Sequence, residues 1–409
     1  MNIISVVIDW LHVGYLGCYG NSWIETQYFN QLAATGFLFD QALIESPDLA
    51  AQYACFTSLP GPAGLPKNSF VQRLRDAGMM SVLITDDPLV AELPWAAALD
   101  DVVHVDIERS GNCAAEIEET NLARLFAAVG EWLDEAREPF CLWLHCGSLG
   151  MSWDAPLAFR ERYREEDDPA PLAGTTVPTR RLSEHYDPDE LLPVTQAYAG
   201  QVSLLDICLG VLLEDMEQRS LADRTVLSLT SARGFPLGEH GRLGPNDQAL
   251  YAELAHVPWI LRFPDGSGAA DRTQALVQPT DLAPTLVDAL GLPLDAGRDV
   301  TGSALPLLHG RTEARRDRAF LSGPKAQRAV RTDAWYMRVP EYSAPGTAKQ
   351  RDLTVELYAK PDDRWEVNDV ADRCPEVVEL LTAVLDAANS AETASAPAPL
   401  AEILTEHLD

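Results

Sequence analysis

Five short apolar runs, Ile3–Ile8, Met80–Ile84, Phe140–Leu144, Thr225–Leu229 and Val257–Leu261, recur along the chain with helix-patterned stretches between them. Runs this short, rich in β-branched residues and without polar alternation, suit strands covered on both faces, as in a parallel sheet. The intervening stretches Lys67–Ala77 (closed by Gly78), Ala115–Ala136 and Thr195–Glu217 read as helices. Asp281–Leu290 reads as a shorter helix, with Asp281 as its N-cap and Gly291 just past its end. This alternation predicts an α/β fold with a doubly wound, mostly parallel sheet flanked by helices. Asp9 then falls at the C-terminal edge of a central strand, where open α/β sheets place their ligand crevice.

The pattern divides the chain into three parts. Residues 1–310 carry the α/β alternation. After Gly310 the strand candidates Arg328–Arg331, Trp335–Val339 and Val355–Tyr358 precede a helix at Pro375–Ala387, which predicts a small C-terminal α+β subdomain over 311–390. Residues 391–409 form a tail, and the Ala-, Ser- and Pro-rich stretch Ser390–Leu400 reads as a mobile linker. Glu165–Pro193, acidic and proline-containing, reads as a long surface loop.

Composition narrows the function classes. Hydrophobic residues make up 46% of the 409, enough for a sizeable core. A net charge of −31 argues against binding nucleic acid or an anionic membrane, because phosphates are repelled. The seven cysteines, Cys18, Cys55, Cys113, Cys141, Cys146, Cys208 and Cys374, are odd in number and irregularly spaced, without a Cys-x-x-Cys pair. They predict a reducing compartment rather than a disulfide framework. The start lacks a secretory pattern, and no apolar stretch approaches the roughly 20 residues that span a bilayer. The expectation is therefore a cytoplasmic protein.

Val7–Asn21, VIDWLHVGYLGCYGN, resembles the opening of sulfatases, a branch of the alkaline-phosphatase superfamily. Leu221–Gly241, LADRTVLSLTSARGFPLGEHG, resembles that family's later metal-bearing strand and its glycine-glutamate-histidine-glycine loop. Val257–Pro264, Thr280–Leu292, Arg331–Val339 and Glu356–Ala371 resemble further family segments, in family order. The resemblance implies the alkaline-phosphatase-like fold and, for an active member, two further parts. One is a calcium or magnesium ion that neutralises the sulfate. The other is a nucleophile, formylglycine made from cysteine, or a serine or threonine.

Carried over position by position, those parts are mostly missing. Asp9 matches the first metal aspartate, but the second falls on Trp10. The later aspartate–histidine or aspartate–asparagine pair falls on Ala232 and Arg233. Calcium takes roughly six to eight oxygen ligands, which a single carboxylate cannot supply. Placing the last glycine of the nucleophile motif on Gly61 puts the nucleophile at Ala51, its proline at Tyr53 and its arginine at Cys55. The histidine after the Phe140–Leu144 strand falls on Gly150, and the late sulfate-contacting lysine on Tyr336. His240 is retained in its loop. His12 and His145 lie nearby in the pattern, and could join Asp9 and His240 in an improvised metal or acid–base site. Three histidines each satisfied within the fold is the plainer reading.

These substitutions point to a pseudoenzyme, with no catalytic residue, no bound calcium or magnesium, and a fold retained for binding a small molecule or protein partner. The alternative is a hydrolase of sulfate or phosphate esters with a repurposed site in the same cleft. A carboxylate without its cation needs another positive charge, so Arg233 is expected to pair with Asp9 while Trp10 fills the emptied volume.

Overall fold

In the computed structural model, the described residues are 1–57, 69–183, 185–245, 248–294, 302–310, 314, 316–340, 355–390 and 398–405. The linker stretch after Ser390 and the Gly61 motif position lie largely or wholly outside them.

The first ten strands are β1 (Asn2–Asp9), β2 (Phe37–Leu43), β3 (Met80–Thr85), β4 (Asp101–His104), β5 (Phe140–Cys146), β6 (Arg180–Arg181), β7 (Thr225–Arg233), β8 (Arg242–Leu243), β9 (His256–Arg262) and β10 (Arg272–Val277). Eight of them form one sheet in the order β10-β2-β9-β7-β1-β5-β3-β4. Every described pairing is parallel except those of β9, which runs against both β2 and β7. β1, β5 and β7 are buried along their whole length, as two-sided cover requires. All five apolar runs are strands, and the fold is the expected mostly parallel α/β sheet with flanking helices. Asp9 ends β1, between β5 and β7.

A second, antiparallel sheet contains β11 (Arg318–Ser322), β12 (Arg328–Thr332), β13 (Trp335–Val339) and β14 (Glu356–Ala359) in sequence order. The helix Pro375–Ser390 covers it, and Val377, Leu381 and Leu385 join Val330, Trp335, Met337 and Leu357 in one apolar cluster.

Several local expectations need correction. Ala115–Ala136 is not one helix. The Thr120 hydroxyl accepts from Ala123 N, so the helix starts at Asn121 and runs to Glu135, after a 3-10 turn at Ile117–Glu119. Asp281 does not cap the helix Leu282–Ala289 with its side chain. Its carboxylate accepts from Gln278 N in a capping box one turn earlier, and also meets Arg316. The stretch Glu165–Pro193 is not all loop, because it carries β6, which pairs antiparallel with β8. The helix Leu192–Gln218 belongs to a segment long and apolar enough to cross a bilayer, which the sequence reading did not count. Of its most apolar window 89% is buried within the protein, as in a core helix.

That helix also caps another. The N-terminus of Gln27–Thr35 has no bond from its own N-cap, Thr26. Instead the buried Asp206 carboxylate accepts from Tyr28 N at 3.0 Å and Phe29 N at 2.9 Å. Removing it leaves buried amides unpaired. Asp206→Ala is therefore expected to destabilise the fold by about 1–3 kcal/mol in urea unfolding, and Asp206→Asn, which keeps an acceptor, by clearly less.

Candidate active site

The crevice at the C-terminal ends of the central strands is built from four segments. β1 contributes Asp9 and, after a β-bulge between Ile8 and Asp9, Trp10 in a left-handed conformation (φ 65°). β7 contributes Ala232 and Arg233, with Arg233 in register with Asp9. β5 contributes His145, and the turn after β3 contributes Asp86 and Asp87.

Arg233 closes the crevice. Its Nε donates to Asp9 Oδ1 at 2.9 Å and its Nη2 to Asp9 Oδ2 at 2.5 Å, a two-pronged pair. Its Nη1 donates to the Pro47 carbonyl at 2.9 Å, and the guanidinium lies 4.0 Å from the centre of the Trp10 ring. Asp9 is 1% exposed and Arg233 8%. The planar fork matches a carboxylate, and its flat face stacks on an indole, so one side chain meets three constraints at once. The Arg233–Asp9 pairing expected from the sequence is thus present.

Trp10 depends on a distant glycine. A Cβ at Gly150 would lie 2.3 Å from Trp10 Cδ1, so the indole fits only because position 150 has no side chain. Tyr198 holds the same turn by donating to the Trp10 carbonyl at 2.7 Å and accepting from His12 N at 2.8 Å.

The three histidines each have separate partners. His12 Nδ1 accepts from Gly14 N, which leaves the proton on Nε2, 3.4 Å from the Glu239 carboxylate. His145 is fully buried. Trp143 Nε1 donates to the Tyr53 hydroxyl, which lies 2.6 Å from His145 Nδ1 and so donates to it. His145 Nε2 therefore carries the ring proton, 3.9 Å from Asp87 Oδ2. Burial lowers its pKa, against the pull of Asp9 and Asp87, and keeps the ring neutral. His240 Nδ1 faces Glu253 Oε1 at 2.9 Å, and Nε2 faces the Glu366 carbonyl at 2.9 Å. A carbonyl only accepts, so Nε2 is protonated, and Glu253 favours a second proton on Nδ1. Burial alone would lower this pKa, but the two acceptors together raise it. Among the described residues no three His, Cys, Asp or Glu side chains are grouped to hold a metal.

The remaining matched positions sit as follows. Ala51 lies exposed in the first turn of the helix Leu49–Phe56, its N–H bonded to the capping Asp48. Cys55 is on the same helix, and burial pushes its thiol well up, so it is no thiolate. Tyr336 belongs to β13, in the second sheet. Its hydroxyl donates to the Leu250 carbonyl at 2.5 Å and the Lys360 ammonium lies 5.8 Å from its ring centre, so its partners are at the junction of the two sheets. Tyr198, Asp86 and Asp87 were not singled out from the sequence, and Tyr53 was named only as the position matching the motif's proline. Asp86–Asp87 directly follows a predicted strand, and that position was the available signal.

The family model for sulfatases matches residues 1–292, and the chain belongs to that family. The N-acetylglucosamine-6-O-sulfatase of Bacteroides thetaiotaomicron is 30% identical over 166 residues, 40% of this chain and 27% of that protein. Arylsulfatase K of Gallus gallus is 25% identical over 223 residues, 51% of this chain and 39% of the relative. The matched stretches thus span well under half of these curated relatives. Among solved structures, a protein in complex with its substrate D-glucosamine-2-N,6-O-disulfate superposes with TM-score 0.73 at 18% identity, covering 96% of this chain and 98% of that one. The phosphonate monoester hydrolase of Agrobacterium radiobacter gives TM-score 0.73 at 16% identity, covering 95% of each chain.

The residues around Asp9 do not fit the divalent cation that the family implies. Both Asp9 oxygens are engaged by a guanidinium, and the neighbouring matched positions Trp10 and Ala232 bring no oxygen. A cation at Asp9 would have to displace Arg233, and Trp10 and Ala232 would offer it no side-chain oxygen.

Two predictions follow from this geometry. Arg233→Ala leaves Asp9 buried and unpaired, and is expected to destabilise the fold by about 3–5 kcal/mol in denaturant unfolding. The second concerns Asp86, which accepts from Gly147 N at 2.6 Å and Ser148 N at 3.2 Å. Burial nonetheless raises its pKa from 3.8 to about 7. A raised acid stabilises the fold in its neutral form, so its contribution is full below pH 3.8 and is lost as pH rises through about 7. Asp86→Asn, measured beside the parent from pH 4 to 8, should flatten the stability profile across that window.

Proposed function

We propose that this chain is a non-hydrolytic member of the sulfatase family, its fold retained for binding a small molecule or protein partner. The observation that carries the reading is the Arg233 guanidinium on both oxygens of Asp9, where the family places its cation. A fixed positive side chain satisfies the charge of Asp9, but it offers no open coordination position to polarise a sulfate. Ala51 adds a second obstacle, since a methyl group can neither attack sulfur nor become an aldehyde hydrate. The family calcium or magnesium is, on this reading, given up. The cytoplasmic setting expected from the cysteine pattern belongs to the same proposal, supported by seven cysteines that are all free thiols.

A repurposed hydrolase in the same crevice has one feature in its favour, the His145 Nε2–H turned toward Asp87. Against it, His145 is fully buried and is tied to Tyr53 and Trp143.

The purified protein is expected to carry no stoichiometric calcium or magnesium by elemental analysis, and to release neither nitrocatechol from its sulfate nor nitrophenol from its phosphate. Turnover that disappears in Asp9→Asn, or a divalent ion that leaves with that substitution, would overturn the proposal.

A further inference from the structure

Two tryptophans stand exposed among the described residues, Trp23 at 45% and Trp365 at 39%. They are far apart in the chain, yet both belong to one row of rings. Trp365 lies 6.0 Å from His12 between ring centres, His12 5.2 Å from Tyr15, Tyr15 6.4 Å from Trp23, and Trp23 5.2 Å from Tyr163. Val367, exposed as well, follows Trp365 two residues on. Apolar side chains scattered singly over a surface mean nothing in particular, but a joined set marks an interaction site.

The row is held from behind. Asn21 Oδ1 accepts from Trp23 N and Ile24 N, both at 2.8 Å, and Asn21 Nδ2 donates to the Gly14 carbonyl at 2.8 Å. A Cβ at Gly14 would lie 2.8 Å from Trp365 Cη2, so the second indole rests on bare backbone. Tyr15 packs edge-on against the buried Tyr198 at 5.0 Å. Rings placed in advance lose little freedom on binding, and tryptophan is among the residues that carry most of the energy of protein interfaces.

Charge selects what this face receives. Glu165, Glu166 and Asp167 are exposed and follow Tyr163 directly, with the Glu165 Cα within roughly 7 Å of the Tyr163 Cα by chain length alone. Among the described residues no ion pair joins these three to a cation. Glu25 borders Trp23, and its side chain is 82% exposed, with Arg162 3.8 Å away. Arg164 is spent on the Asp168 and Pro169 carbonyls. One indole of the row already takes a guanidinium, that of Arg364 at 4.8 Å from the Trp365 ring centre. A second copy of a chain of net charge −31, a nucleic acid and an anionic surface would all be repelled, and a cationic partner is drawn in.

We propose that this face docks an extended, arginine-bearing segment of another protein. A guanidinium stacks on the Trp23 ring, and neighbouring arginines meet the carboxylates of Glu25, Glu165, Glu166 and Asp167. Apolar residues of the same segment cover Trp365 and Val367. The inference rests on the reading of a fold kept for binding, and it gives that reading a place outside the crevice and a class of partner.

The test is fluorescence anisotropy of labelled dodecapeptides titrated with the full chain at low ionic strength. One peptide repeats Arg-Pro-Leu, kept extended by its prolines, and the other repeats Glu-Pro-Leu. The arginine peptide is expected to bind, more weakly as salt is added, and the glutamate peptide is not. Trp23→Ala and Trp365→Ala leave the charge unchanged and should each weaken binding by about ten-fold, with the melting curve checked for each. Glu165→Gln with Glu166→Gln should weaken it by about five-fold or more. The same change of charge elsewhere, Glu131→Gln with Glu135→Gln on the helix Asn121–Glu135, should leave it intact. No binding, or binding that falls equally in both charge pairs and ignores the tryptophans, overturns the proposal. So does binding of neutral chitotriose, or self-association, that Trp23→Ala abolishes while the arginine peptide fails to bind. Ester hydrolysis is assayed alongside. Turnover lost in Asp9→Asn but kept in Trp23→Ala would overturn the non-hydrolytic reading and leave the docking face to stand on the peptide data. Absence of both peptide binding and turnover would remove the docking face and leave that reading.

Discussion

The buried pair between Asp9 and Arg233 organises the centre of this protein. It joins the ends of the two most central strands, β1 and β7, across a bulge that turns Asp9 toward its partner. It holds the segment before the helix Leu49–Phe56 through the Pro47 carbonyl, and it seats the Trp10 indole. A divalent ion at this place would bind several protein oxygens and still have positions open to a substrate. The guanidinium also collects several contacts, but it spends its donors on the protein itself. The crevice thereby turns from a place that receives a ligand into part of the interior.

A second buried network lies one step along the chain and ties the two sheets together. His240 bridges Glu253 and the Glu366 carbonyl, Glu366 Oε2 accepts from Ala252 N, and Lys360 meets Glu366 Oε1 at 3.1 Å. Burial pushes the Glu366 pKa up, while Lys360 pulls it back. Such a network is stable only when every member is satisfied, so it fixes how the second sheet docks. The place of His240 thus has a structural reason: the ring works at the junction of the sheets.

Much of the fold was legible because burial on both faces leaves a strong mark. β1, β5 and β7 are buried throughout and β3 and β9 at all but one end residue, and their sequences say so. β2 was missed because Asp40 and Gln41 interrupt its apolar run, and Asp40 is accounted for only by Arg272 and Gln274 on the neighbouring β10. The ion pair could be expected because Asp9 keeps its carboxylate while a cation, Arg233, stands at a position matched to the metal site. The fit of Trp10 against Gly150 could not, since it is a contact between side-chain volume and its absence on separate strands' loops. The place of Tyr336 depends on the docking of the second sheet, which no periodicity encodes.

The contact between Trp10 and Gly150 bears on which residues these positions can accept. A histidine at position 150 would strike the indole already there, and an aspartate at position 10 would bring a second carboxylate beside Asp9 with only one guanidinium to share. Removing Arg233 first would strand the carboxylate that remains. Each of these single substitutions is therefore uphill, whichever is made first. The three positions are locked together, and a different set of residues can enter only if several change at once.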